Sequence, residues 1–305
     1  MPYYETKKKE WNDQNFSSDI SLAVIMLIYN HLPDVQSLRI SENYANKVIL
    51  INNNSNIEIT NRLKKLIDML GKKFSLIDYS VNKGISKAYN EAVTNITKDI
   101  DYIFLFDHDA IFTSELFIRT LKTLKTFKNE KIGVIVPIVS DNYSLMGSKL
   151  GFSEEYSIID NTITSGIFMR RDLFLSNGGY DENLFVEAAD LEFTKRISKQ
   201  GYLLVRMNTV LIVQEFELPV TGKKILFRIG NFIITIRSII RIKFNNCNIY
   251  RTRMSFYNEV REKELNKNLS YLLRKKGLGR LNILVIIFLN KIETKFVTIL
   301  NRLTN

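Results

Sequence analysis

Two aspartates separated by one residue close the run "YIFLFDHDA" (residues 102–110). In extended chain, residues i and i+2 point the same way, so Asp107 and Asp109 can both face one cation or one polyphosphate. Acidic pairs at this spacing are common, and Asp99/Asp101, Glu215/Glu217 and Glu262/Glu264 repeat it, most such pairs being solvated surface. What separates Asp107/Asp109 is position. Asp99/Asp101 enters an apolar run, whereas Asp107/Asp109 leaves it. A second acidic group lies in "EAADLEF" (187–193), where Glu187 and Asp190 are three apart and share a face of a predicted helix near its N-terminus, where carboxylates are favoured. Standing alone, that segment reads as helix capping and a solvated turn. Other apolar runs also end in polar residues: Tyr29-Asn30, "NNNS" (52–55) and "YSVNKG" (79–84). Such exits are ordinary turn chemistry. Together they supply an aromatic ring, amide groups and a lysine around one crevice, which suits a nucleotide base and its phosphates.

The elements that must carry these residues follow from periodicity. "SLAVIMLI", "KVILIN", "FSLIDY", "DYIFLF" and "KIGVIVPIV" read as buried strands. Between them, "PDVQSLRISENYAN", "NIEITNRLKKLIDMLG", "GISKAYNEAVTNITK" and "TSELFIRTLKTLKTFK" read as helices. Gly71 is a C-cap candidate, and Thr113 or Ser114 an N-cap candidate. Alternation of this kind predicts an α/β fold, a mostly parallel sheet with helices on both faces, which binds ligands beyond the carboxyl ends of its strands. "NGGYDE" (177–182) predicts a tight turn, and "EAADLEFTKRISKQGY" a helix ending near Gly201.

Composition bounds the rest. The 305 residues, 45% hydrophobic and 25% charged, suit one large domain with an appendage. A single cysteine, Cys247, excludes an internal disulfide and fits a reducing compartment. The N-terminus carries no apolar signal core, so a cytoplasmic location is expected. The net charge of +11 is uneven: from Thr221 onward 18 basic residues face 4 acidic ones, against 25 and 28 before it. Basicity therefore belongs to the C-terminal region. Within it, residues 223–244 and 281–303 mix Ile, Leu and Phe with Arg and Lys. Both stretches are too short or too interrupted to span a bilayer but suit the surface of an anionic membrane. Packing on the domain, or a homodimer, is the alternative use. The expected division is a polar arm (1–19), a catalytic domain (20–220) and a basic amphipathic helical region (221–305).

Over residues 20–216 these motifs, in this order, resemble a family 2 nucleotide-sugar glycosyltransferase of the GT-A fold, nearest the bacterial rhamnosyltransferase-like branch. The residues that carry the resemblance are Tyr29-Asn30, "NNNS", "NKG" (82–84), "DHDA" in the place of a metal-binding DxD motif, "SG" (165–166) and "GGYDENLF…ADLEF". The resemblance implies Asp109 as ligand of Mg²⁺ or Mn²⁺, with Asp107 on the same metal or the donor ribose. Tyr29, Asn30, Asn52, Asn53, Asn82 and Lys83 would hold the nucleotide. Asp190 would be the catalytic base of an inverting transfer. Ser165, Gly166, Gly178, Gly179, Glu187 and Glu192 would lie around the sugar and acceptor. A dTDP- or UDP-sugar donor and a glycan acceptor, lipid-linked at the inner face of the cell membrane, complete the expectation. Two departures stand out. The family usually has aspartate where this chain has Asn52, whose carbonyl can still accept a hydrogen bond. Relatives also have a metal-binding histidine after the strand that follows the acidic helix. Here Gln214 or Glu215 is the nearest polar substitute, and His31 and His108 read as surface residues.

Other readings remain open on sequence alone. Galactofuranosyl- and hexosyltransferases share every motif used. A catalytically silent relative would also keep them. Nucleic-acid binding through the basic region is disfavoured by apolar runs such as "LNILVIIFL" and by the lack of a recognition signature.

Overall fold

The computed structural model describes residues 20–140 and 152–214, the backbone of 249–250, and positions 264, 267, 268, 271 and 272. The five apolar runs form strands β1 (Leu22–Ile28), β2 (Lys47–Asn53), β3 (Phe74–Tyr79), β4 (Tyr102–Asp107) and β6 (Ile132–Ser140). Short strands β5 (Ala110–Ile111), β7 (Tyr156–Ile158) and β8 (Ile167–Arg170), the 12-residue β9 (Leu203–Gln214) and β10 (Ile249–Tyr250) complete one sheet. Its order is β3-β2-β1-β4-β8-β6-β9-β5, with β7 on β9 and β10 on β6. Strands β3, β2, β1 and β4 are mutually parallel, and β8 runs antiparallel between β4 and β6. The β6–β9 register slips at Pro137, which has no N–H to offer the ladder.

Strand alternation divides the core in two. Ala23, Ile25 and Leu27 of β1 join one apolar cluster, while Leu22, Val24, Met26 and Ile28 join the other. Helices α1 (Val35–Tyr44), α2 (Ile57–Met69) and α4 (Glu115–Thr126) cover the second face. Helices α3 (Gly84–Thr94), α5 (Arg171–Ser176) and α6 (Ala189–Lys199) cover the first. Burial on both sides is why the parallel strands read as unbroken apolar runs.

Helix starts follow local chemistry. The Asp34 carboxylate accepts from the Ser37 N–H and begins α1, and Asn56 does the same for α2 through Ile59. Ser114 stands at the N-cap of α4 without a side-chain cap bond. The C-cap of α2 is Leu70, one residue before Gly71. Beyond residue 220, β10 extends the sheet beside β6, and Leu272 is fully buried in the cluster that holds α3, α5 and α6. The basic stretches 223–244 and 281–303 lie outside the described residues.

Candidate active site

Because β1 to β4 run parallel, their carboxyl ends open on one side, and the polar exits gather there. Asn30 takes φ 54 after β1, where its Oδ1 accepts from the Asn56 N–H (2.8 Å) and its own N–H donates to Ser55 Oγ (2.9 Å). The neighbouring Tyr29 is 46% exposed, so its ring remains open to a ligand. Asn52 is buried and committed to the scaffold. Its Nδ2 donates to Asp78 (2.8 Å) and Thr60 (3.0 Å), and its Oδ1 accepts from the Ser55 N–H (3.1 Å). Lys64 and Asn52 together hold the Asp78 carboxyl below the usual carboxylate range, Lys64 contributing most.

Asn53 ties the second exit to the third. Its Oδ1 accepts from the Lys83 N–H (2.8 Å), and its Nδ2 donates to Asn82 Oδ1 (2.9 Å), which also accepts from the Gly84 N–H (2.8 Å). Gly84 has φ +73, and a Cβ there would lie 2.3 Å from the Phe185 carbonyl oxygen, so only glycine fits. The Lys83 ammonium pairs with Glu91 (2.5 Å) and lies 3.9 Å from the Tyr79 ring centroid. Asn30, Asn53 and Asn82 thus build the loops that frame the crevice.

Asp107 and Asp109 meet as their spacing predicts. Gln214, the last residue of β9, donates its Nε2 to Asp107 Oδ2 (3.1 Å) and to Asp109 Oδ1 (3.0 Å). Pairing of Ala110 with Gln214 across β5 and β9 brings the carboxamide there. The two carboxylate oxygens therefore converge on one point. Gln214 is 7% exposed, and its Oε1 has no partner among the described residues. The two carboxylates offer hard oxygen donors of the kind that suits Mg²⁺ or Mn²⁺, with the Gln214 carboxamide beside them. Among the described residues no three His, Cys, Asp or Glu side chains gather around one point. His108 is half-buried, which corrects the surface reading. Its ring lies 5.3 Å from that of His31, and burial, then the His31 charge, push it down to about 4.

Asp190 occupies the first turn of α6. Its Oδ1 accepts from the Leu191 N–H (2.7 Å) and its Oδ2 from the Thr164 N–H (3.1 Å). Burial raises its carboxyl to about 7, and the charges of Glu187 and Asp107 add to the effect against those two N–H bonds. A carboxyl poised near neutrality suits a general base. Beneath it, the Tyr180 hydroxyl meets Thr164 Oγ1 (3.2 Å), and Tyr89 donates to the Phe106 carbonyl (2.7 Å) under Asp107. Burial raises both phenols above their ordinary range, so both stay protonated and fix the backbone that aims the carboxylates. Tyr89 lies in a helical stretch with no signal of its own, and Tyr180 lies in the "GGYDENLF" segment without being singled out there.

The remaining expected residues divide. The Ser165 hydroxyl is fully buried without a partner among the described residues. Gly166 (φ +80) donates its N–H to the Leu105 carbonyl at 2.9 Å. Glu187 precedes α6 instead of sharing its face, because Ala188 takes φ 70 and the helix starts after it. Its charge nonetheless reaches Asp190.

Glu192, Gly178 and Gly179 are tied into the scaffold of the fold. Residues two apart on a helix do not face together, and Glu192 is buried in an ion pair with Arg196 (2.7 Å). Arg196 in turn donates to the carbonyls of Asn177 and Gly179, while Asn90 exchanges two 2.8 Å bonds with the Tyr180 backbone. The double-glycine turn is therefore a clamp between α3 and α6.

Known proteins resemble the chain in sequence and in fold. The family model described as "Glycosyl transferase family 2" matches residues 24–175. Among curated proteins, the dTDP-rhamnosyl transferase RfbF of Shigella flexneri is 28% identical over 170 residues, covering 52% of this chain and 55% of that protein. The chain thus spans little more than half the length of this relative. A crystal structure of GalNAc-T7 with UDP, GalNAc and Mn²⁺ superposes with a TM-score of 0.53 at 14% identity, over 72% of this chain and 48% of that one. At that identity the likeness concerns the fold, which is GT-A-like. Through residues 24–175 the chain belongs to glycosyl transferase family 2.

Proposed function

We propose that the protein is an inverting glycosyltransferase that moves a sugar from a nucleoside-diphosphate donor to a hydroxyl of a glycan acceptor. The observation that carries this reading is one partly buried carboxyl, Asp190, held near neutrality within electrostatic reach of Asp107 at the strand ends. Tyr29 offers its ring to the base, and the loops built by Asn30, Asn52, Asn53, Asn82 and Lys83 frame the nucleotide. The acceptor oxygen attacks the anomeric carbon from the face opposite the leaving group. As that bond forms, the bond from the anomeric carbon to the β-phosphate oxygen breaks, and its electron pair departs with the nucleoside diphosphate. The hydroxyl proton passes to Asp190, and the anomeric configuration inverts. Asp107 and Asp109 are the residues that would hold a divalent cation, which when bound would neutralise charge on the leaving diphosphate.

Likeness to a dTDP-rhamnosyl transferase favours rhamnose as the sugar. A galactofuranosyl or hexosyl donor carried on UDP is the second reading, favoured by the fold shared with a UDP-bound enzyme. A lipid-linked glycan of the bacterial cell surface is the proposed acceptor class, and the basic stretches 223–244 and 281–303 support attachment to an anionic membrane. Among the described residues no helix is long and apolar enough to cross one.

Calorimetry with dTDP-rhamnose, UDP-galactose, UDP-galactofuranose and the free nucleotides, with and without Mg²⁺ or Mn²⁺, tests the reading. Cation-dependent binding of one donor, lost in Asp109→Ala, is expected. Failure of every nucleotide to bind would overturn it and favour a silent relative.

A further inference from the structure

Besides β10 on β6, the described C-terminal residues meet the catalytic domain beside α6. Positions 264, 268, 271 and 272 share a helix face by spacing, and all four side chains meet the loop before α6 or the core under it. Glu264 Oε1 accepts the N–H groups of Val186 (2.7 Å) and Glu187 (3.3 Å). Asn268 Nδ2 donates to the Glu187 carbonyl (2.9 Å) and to Glu264 Oε1 (3.4 Å). Tyr271 donates its hydroxyl to Asp181 Oδ2 (2.8 Å), and Leu272 is fully buried in the cluster that contains Ala189 and Phe193 of α6.

The loop is gripped from its other side too. The Phe185 carbonyl accepts from the Ile85 N–H (2.7 Å), and the Leu184 carbonyl accepts from the Ser86 hydroxyl, both at the start of α3. Immediately after the gripped residues, Ala188 adopts φ 70 and α6 begins, with Asp190 in its first turn. A carboxylate that accepts two successive backbone N–H groups makes charge-assisted bonds, stronger than neutral ones, and fixes the direction of the chain between them.

We propose that Glu264 is a positioning residue for the transferase base: it locks the 181–187 loop from the C-terminal side and so sets where Asp190 meets the acceptor. The role rests on the assignment of Asp190 as base. It also makes the C-terminal region a working part of the site and not only an appendage.

The test uses the full chain with Glu264→Ala and Glu264→Gln. Glutamine keeps an oxygen that accepts both N–H groups, whereas alanine keeps none. With the donor that wild type accepts, Glu264→Ala is expected to lose about tenfold or more in kcat, as misplacement of a reacting group does, with donor KM unchanged. Glu264→Gln stays within about threefold of wild type, keeping most of the bonding. A fall in KM affinity alone, or equal losses in both variants, overturns the proposal.

A second reading needs no turnover. Carbon-13 NMR follows the ionisation of Asp190, whose charged and titratable neighbours are Glu187, Asp107 and Tyr180. Its midpoint drops by at least about one unit in Glu264→Ala as the loop loosens and water enters, and holds in Glu264→Gln. If wild type transfers no sugar, the proposed activity fails while this arm still decides: an unmoved midpoint in a folded Glu264→Ala overturns the lock. Should Glu264→Ala not fold, Asn268→Ala removes the parallel bond to the Glu187 carbonyl and is read the same way.

Discussion

Asp190→Asn removes one ionisation while preserving the shape of the side chain, and its effect on stability should change sign with pH. In the folded protein the carboxyl titrates at about 7, against an ordinary value of 3.8. Below pH 4 the group is protonated both folded and unfolded. Between pH 4 and 7 it stays protonated in the fold but ionises in the unfolded chain, so unfolding releases a proton and wild-type stability falls as pH rises. Above pH 7 both states are ionised and the penalty is constant, at about 4 kcal/mol. Asparagine never charges and escapes this penalty. It can accept only one of the two N–H groups from Thr164 and Leu191 that the carboxylate accepts, which costs about 1–3 kcal/mol. The variant is therefore expected to be less stable than wild type by about 1–3 kcal/mol at pH 4, and more stable by a similar margin at pH 8. Urea unfolding of both proteins at half-unit steps from pH 4 to 8 measures the difference. In the same samples, wild-type kcat rises through a midpoint at about 7 and the variant turns over no donor. Parallel stability curves across that range would refute a buried, poised carboxyl at position 190.

Three further outcomes are expected. Gln214→Ala removes the amide that bridges Asp107 and Asp109 and leaves less compensation between like charges; it raises cation affinity in nucleotide-bound protein, and Gln214→Glu raises it further, as titration calorimetry with Mn²⁺ would read. Arg196→Met strands the buried Glu192 carboxylate and frees the double-glycine turn, destabilising the fold by about 3–5 kcal/mol in chemical denaturation, and a loss under 1 kcal/mol would show the pair to be dispensable. Gly84→Ala forces a Cβ to within 2.3 Å of the Phe185 carbonyl at φ +73, so a loss of about 1–3 kcal/mol, with weaker nucleotide binding, is expected from thermal unfolding and calorimetry.

The half of the molecule built from repeated strand and helix was legible in the sequence. Each of the five apolar runs became a strand, because burial on both faces leaves no polar alternation to confuse the reading. Asp107 and Asp109 were legible for the same reason, standing where apolar sequence stops. The second half was less so. Strand β8 is four residues long and runs straight into α5, so its pattern is too short to carry a period. Glu187 and Asp190 were read onto one helix face, but the left-handed Ala188 lies between them, a conformation that alanine does not advertise. Glu192 and the two glycines fell into the same motif as Asp190 and were placed around the sugar and acceptor. Their role in a clamp rests on the tertiary contacts of Arg196 and Asn90, which no local pattern announces. Gln214 was visible as a polar residue ending a strand, but that its amide meets both aspartates depends on a pairing with Ala110 that sequence does not specify.

The bond between Gln214 and the two aspartates spans more than a hundred residues of chain. Its neighbours on the nucleotide side, from Tyr29 to Asp109, come from four strands that pair side by side and lie early in the sequence. A chain emerging from the ribosome can assemble that half as it appears, since each new strand finds a partner already made. The carboxamide arrives only when β9 has threaded along β6, a long-range pairing that is slow to close. Among strands β1 to β9, the pairing that balances charge at the aspartate pair is thus expected to close last. A lesion in the buried face of β9 would leave the proposed nucleotide side assembled and the proposed cation centre immature.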